Sequence, residues 1–169
     1  DAKMFTQEDI NELRNESWVE DLGVFASSQF RVDGSIEFKG KRLSTMMFFE
    51  SVPDSFVDVD SEDWGYNPGD NIIPIILPRN YLNLYNFGFS QTQGLPKITE
   101  DMIKRVELGL RIRGNGHDDD YLGYVVGFSD RLNTILVPME FMEWANGYYC
   151  NSASNEATRL ILEVSNPSD

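Results

Sequence analysis

Val106-Glu107-Leu108-Gly109-Leu110-Arg111-Ile112-Arg113 runs into Gly114-Asn115-Gly116-His117-Asp118 and then into Tyr121-Leu122-Gly123-Tyr124-Val125-Val126-Gly127-Phe128. Val106, Leu108, Leu110 and Ile112 alternate with Glu107, Gly109, Arg111 and Arg113, the two-residue period of a strand with one wet and one dry face. Gly114 and Gly116 can take the positive φ of a tight turn, so the stretch predicts a β-hairpin. Downstream, Thr134 to Val137 reads as another strand. Pro138 opens a short helix, Met139 to Asn146, packing Phe141, Met142 and Trp144, and Thr158 to Val164 reads as the last strand.

Upstream, Thr6-Gln7-Glu8-Asp9 reads as a helix N-cap with acidic residues in the first turn. Leu22 to Ala26 and Gln29 to Val32 follow, the latter running into a turn at Asp33-Gly34. Ile36 to Phe38, a turn at Lys39-Gly40-Lys41 and Leu43 to Phe49 then complete a β-meander. Met46-Met47-Phe48-Phe49 reads as a buried strand rather than a ligand surface. From Ser51 to Asn71 the composition turns acidic and rich in Pro and Gly, the mark of a long loop or boundary. Ile72 to Leu77 is a strand and Pro78 sits where a helix would begin. Tyr81, Leu82, Leu84 and Tyr85 supply that helix's apolar face, and Thr99-Glu100-Asp101 caps a further turn of helix to Lys104.

The chain has 169 residues, with 14 basic and 28 acidic side chains and a formal net charge of −14. Such a charge repels a phosphate backbone and an anionic membrane surface alike. The single cysteine, Cys150, excludes an intrachain disulfide and any zinc site built on two cysteines. No apolar run approaches the ~20 residues of a membrane helix. Asp1-Ala2-Lys3-Met4 opens straight into polar sequence, so the chain reads as an excised piece or a processed one.

No residue set reaches a catalytic claim, and the chain reads as non-enzymatic, with no cofactor and no metal. Asp58-Val59-Asp60-Ser61-Glu62-Asp63 starts like a calcium loop. However, Asp63 stands where the loop needs Gly and Gly69 where it needs Glu. A solvated acidic loop fits better. His117-Asp118-Asp119-Asp120 joins the sole imidazole to three carboxylates, but on a hairpin tip expected to be exposed and mobile. Gly114-Asn115-Gly116 lacks the helix N-terminus and Lys-Ser/Thr pair of a phosphate loop. Gly123-x-x-x-Gly127 would mark a dimerising helix only inside an apolar helix. Glu140 and Glu143 share one helix face, which reads as a wet face rather than an acid–base pair.

The order of segments carries a resemblance that no single motif does. Thr6-Gln7-Glu8-Asp9-Ile10-Asn11-Glu12-Leu13 followed by Trp18-Val19-Glu20-Asp21 resembles the opening of a MacB-like periplasmic core domain. Phe49 to Phe56 and Ile75-Ile76-Leu77-Pro78-Arg79-Asn80-Tyr81 are similar to later passages of that domain. Leu108 to Ile112 with Gly123 to Phe128 and Ile135-Leu136-Val137-Pro138 is the densest match, to a run found in FtsX/MacB-type permeases. The resemblance implies an α+β fold: a porter-like α/β subdomain, residues 1–66 plus 157–169, with a β-rich subdomain inserted at 67–156. It implies a domain on the periplasmic face of a bacterial cytoplasmic membrane that does no chemistry itself. Its partners would be the membrane helices of the parent ABC transporter permease, a cytoplasmic ATPase, and an extracytoplasmic adaptor, lipoprotein or peptide cargo, or hydrolase activator. A permease dimer is among the implied arrangements; nucleic acid is not among the partners.

A free secreted or lipid-anchored binding module is the alternative, its pocket drawing on Tyr81, Tyr85, Phe87, Tyr148 and Tyr149. An acidic hydrolase built on a carboxylate pair is a third, weaker reading. Partner contact is expected at aromatics placed at loop ends: Trp64, Tyr66, Phe87 and Phe89. Trp64 and Tyr66 stand in an acidic loop, where an exposed ring would mark a contact. On that expectation, replacing both with Ser leaves the melting temperature nearly unchanged.

Overall fold

The computed structural model describes residues 5–17, 19–38, 40–84, 86–87, 94, 97–150 and 159–164. The hairpin that anchors the sequence reading is present as β6 (Leu108–Gly114) and β7 (His117–Ser129), paired antiparallel from Leu108↔Gly123 to Gly114↔His117. Asn115 and Gly116 form its two-residue turn, both at positive φ (49° and 78°), the handedness that matches the twist of the strands.

Around this hairpin the sheet grows in both directions. β2 (Arg31–Phe38) pairs β6, and β3 (Lys41–Met47) pairs β2. On the other flank β5 (Ile72–Pro78) lies parallel to β7. Beyond it come β8 (Ile135–Leu136), β4 (Phe49–Ser51), β1 (Val19–Ser27) and β9 (Arg159–Val164). The nine-stranded order is β3-β2-β6-β7-β5-β8-β4-β1-β9. With helices α1 (Gln7–Arg14), α2 (Arg79–Leu84), α3 (Glu100–Ile103) and α4 (Met139–Tyr149), the fold is α+β, as expected. Of the boundaries expected for two subdomains, 156/157 lies outside the described residues. β2, from the first set, is bonded to β6, from the second, and Val32 and Phe49 share one core cluster with Ile73, Ile75 and Leu110.

β5 lies within the sheet and is buried over Ile73–Ile76. Ile73 and Ile75 join the cluster under α4, where Phe141, Met142, Ala145 and Tyr149 are fully or nearly fully covered. Ile76 joins a second cluster with Phe25, Val52, Phe56, Leu132 and Leu136. Pro74 is tolerated there because β8 meets β5 only at Ile76↔Leu136, leaving the flank beside Pro74 without a ladder bond to break. A third, small cluster forms where α1 lays Ile10 against Leu22 of β1. Its start is fixed by a complete capping box: the Thr6 hydroxyl accepts from Asp9 N–H and the Asp9 carboxylate accepts from Thr6 N–H.

Two expectations of the meander are corrected. Asp33-Gly34 is not a turn but the middle of β2; the other expected turn, at Lys39-Gly40-Lys41, agrees with the pairing of Phe38 with Lys41 and with Gly40 at φ 75°. Gly34 is small for a packing reason: a Cβ there would collide with the Met47 side chain. Met46-Met47-Phe48-Phe49 is not a uniformly buried strand. Phe49 is in the core, but Met46 is 54% and Phe48 69% exposed, because β3 is the outermost strand of the sheet among the described residues.

Candidate functional site

The sheet face that α4 packs on is only partly covered. Towards its β3 edge an open groove of about 690 Å³ remains, floored by Ile36, Leu43, Met47, Leu77, Leu108 and Ile135. That is the size range of a small-ligand or peptide cleft. Cross-strand partners Ile36↔Leu43 and Val32↔Met47 put these side chains on one face, so the exposed apolar surface is a consequence of register and not of a loop conformation. Phe48 and Tyr81 stand on its walls, with Thr134 and Asn133 at its polar end. Thr134 Oγ1 donates to Glu50 Oε1 at 2.9 Å, which ties the β4–β8 junction to that end of the groove.

Next to the groove, Arg79 at the start of α2 holds three elements together. Its guanidinium pairs with Asp130 (2.7 Å), just past β7, and with Glu100 of α3. Asn86 completes the connection: its amide donates to the Ile98 carbonyl (2.6 Å) and accepts from the Ile98 N–H (2.7 Å). α2 itself buries nothing; Leu84 and Tyr81 are exposed, so the expected apolar face of this helix is not packed into the core.

The acidic loop is less solvated than its composition implies. Asp58 accepts from Ser129 Oγ (2.6 Å), Asp130 N–H (3.0 Å) and Arg131 N–H (3.3 Å), and Ser129 Oγ in turn accepts from Leu132 N–H. Burial pushes this carboxyl up, but the bonds from Ser129, Asp130 and Arg131 outweigh it and hold the group below the usual carboxylate range. Val59 and Trp64 pack on the second core cluster from the same loop. Gly127 of β7 leaves the space that Val59 fills.

The hairpin tip, exposed at Asn115, Gly116 and Asp118, carries several side-chain contacts. Asp118 takes both nitrogens of an Arg111 fork (2.8 and 2.6 Å), an arrangement that lowers the Asp118 carboxyl. His117 stacks on Tyr148 (4.0 Å between centroids), and Tyr148 stacks on Trp144 (5.1 Å). Tyr149 Oη donates to Asp119 (2.7 Å), so its only proton is used and Tyr121 Oη must donate to Tyr149 Oη (2.7 Å). Burial first, then the bond donated to Asp119, pushes Tyr149 well above the usual phenol range. Among the described residues no three His, Cys, Asp or Glu side chains converge to hold a metal.

The four aromatics expected at a partner surface have different fates. Tyr66 is only 5% exposed, a correction to its expected exposure: its ring meets Phe141 edge-on at 5.0 Å and its hydroxyl donates to the Asp70 carbonyl at 3.0 Å. Burial pushes its phenol up to about 12. Trp64 is half-buried. Phe87 is exposed, with the Lys97 ammonium over its ring at 5.4 Å. Phe89 lies outside the described residues, as does Tyr85. Trp64, Tyr66 and Phe87 do not line the groove, whose edge side is built from Leu43, Met46, Met47 and Phe48. The signal for it was the run Leu43 to Phe49 itself, apolar at five of seven positions and free of charged residues.

Among the described residues, no helix is long and apolar enough to cross a membrane. No curated protein matches the chain. The family described as "Probable transporter periplasmic core domain" matches residues 1–169, and the chain belongs to that family of extracytoplasmic transporter domains.

Proposed function

We propose that this domain is the non-catalytic extracytoplasmic part of an ABC transporter permease of the MacB/FtsX kind, coupling ATP-driven motion of the membrane helices to a partner or cargo outside the membrane. The observation that carries this reading is where the chain joins and leaves the sheet. Val19 at the start of β1 is the Cα partner of Val164 at the end of β9, so the strands by which the chain enters and leaves the sheet lie side by side at one edge. Antiparallel partners lie about 5 Å apart. Membrane segments ahead of α1 and beyond β9 would both act on this pair of strands, and a displacement of either would be passed through β1 and β4 into the sheet. At the opposite edge lies β3 with its apolar groove, the surface left for a partner.

The family match supports the transporter setting. Determining the coding sequence on both sides of residues 1–169 tests the reading. Apolar stretches of about 20 residues upstream and downstream are expected. A secretion signal upstream with a stop codon soon after residue 169 would replace the permease by a secreted binding module.

A further inference from the structure

We propose that β3 is a docking site for strand addition: an extended segment of a protein partner pairs along the edge that is free among the described residues, lays alternate apolar side chains into the groove, and brings acidic residues to the strand's basic turn end at Arg42. The turn of the β2–β3 hairpin has two residues, 39 and 40, between the partners Phe38 and Lys41. Such a turn forces Phe38 and Lys41 to exchange both backbone bonds, so bonds to β2 fall on Lys41, Leu43, Thr45 and Met47. The N–H and C=O groups of Arg42, Ser44 and Met46 therefore point away from the sheet. Met46's carbonyl meets the hydroxyl of its own neighbour Thr45, at 3.4 Å, where a paired strand would place an N–H.

Natural edges are blunted by proline, bulges or charge. β3 has no proline, its register with β2 is unbroken, and its side chains from Leu43 to Met47 are uncharged. An edge left this open beside an apolar groove matches the recognition mode in which backbone bonds give affinity and alternate pockets give specificity. The charge of the occupant follows from the same strand. Lys41 and Arg42 are its only ionised residues, both positive and both at the turn end. An antiparallel partner reaches that end with its C-terminal residues, so those are the acidic ones.

The partner's being extracytoplasmic rests on the coupling reading; the edge itself does not. The test is an NMR titration of the labelled chain with a synthetic peptide of alternating Val and Thr ending in two Glu. Shifts and exchange protection are expected at the amides of Arg42, Ser44 and Met46, with a dissociation constant below about 1 mM. The same peptide ending in two Lys should bind about fivefold more weakly, and a version N-methylated at alternate amides should not bind. Ser44→Pro removes one outward N–H without removing a bond to β2, and should abolish binding while leaving the other hairpin amides in place. No binding at about 1 mM, or equal binding of the N-methylated peptide, overturns the proposal. So does self-association of the chain that Ser44→Pro dissolves, which would make a second copy the occupant. Peptide binding that fails while ATP hydrolysis by the parent transporter still depends on this domain removes the edge and leaves coupling intact; the reverse pattern removes coupling and leaves the edge.

Discussion

Asp58→Ala should destabilise this domain although the residue belongs to a loop that its composition marks as solvated. The wild-type carboxylate accepts one bond from the hydroxyl of Ser129, a residue 2% exposed, and two from the N–H groups of the exposed residues Asp130 and Arg131. Water can replace the last two at little cost. It cannot easily reach the Ser129 hydroxyl, and leaving a buried donor unpaired costs about 1–3 kcal/mol. Adding a few tenths for each backbone bond and for looser seating of Val59 and Trp64 gives about 2–3 kcal/mol, a fall in melting temperature of roughly 5–10 °C at this size. A carboxylate whose folded pKa lies below its unfolded one adds stability above the unfolded value and loses it as the pH falls through the folded one. Asp58 is such a group. The difference between wild type and Asp58→Ala should therefore be full at neutral pH and shrink below about pH 4. Urea denaturation across that range measures it, and a cycle with Ser129→Ala isolates the pair. A difference under about 0.5 kcal/mol at neutral pH, or one that does not change on acidification, would refute the reasoning.

Other substitutions probe the remaining packing. Tyr66→Ala should cost about 3–5 kcal/mol, since the ring is buried against Phe141; thermal melting that stays within a degree or two of wild type would return Tyr66 to the surface. Tyr149→Phe should cost about 1–2 kcal/mol by leaving Asp119 and the Tyr121 hydroxyl without their shared partner, read by chemical denaturation. Gly127→Ala should cost about 1–3 kcal/mol by driving a methyl group into Val59, and pairing it with Val59→Ala should recover most of the loss. Phe48→Ser, on the exposed groove wall, should leave denaturation midpoints nearly unchanged while weakening binding of the Val/Thr peptide.

The parts of the fold legible in the sequence were those decided by local chemistry. The alternation at 106–113, the turn at Gly114-Asn115-Gly116 and the Thr6 N-cap each involve groups within a few residues of one another. What was not legible depended on which strands become neighbours. Asp33-Gly34 has the composition of a turn, yet pairing with β6 sets Asp33 between Arg31 (2.9 Å) and Arg113 (2.7 Å) and uses the glycine to seat Met47. Leu43 to Phe48 is apolar enough for a core strand, and only the sheet order places it at an edge. Trp64 and Tyr66 stood out for being aromatic among carboxylates, but the acidic loop folds back onto the sheet through Asp58 and buries part or all of both rings. The candidate contact surface thus moved from loop aromatics to a strand edge.

The most direct test of coupling exploits the adjacency of Val19 and Val164. Residues 20–163 can be replaced by a short Gly-Ser linker that keeps the flanking segments at their native spacing. Growth of a strain deleted for the parent transporter is then compared with the native and the shortened protein, with ATP hydrolysis of each measured to verify the membrane part. The account predicts that the shortened transporter still hydrolyses ATP but no longer supports growth under conditions that require transport. Full rescue by the shortened protein would contradict it.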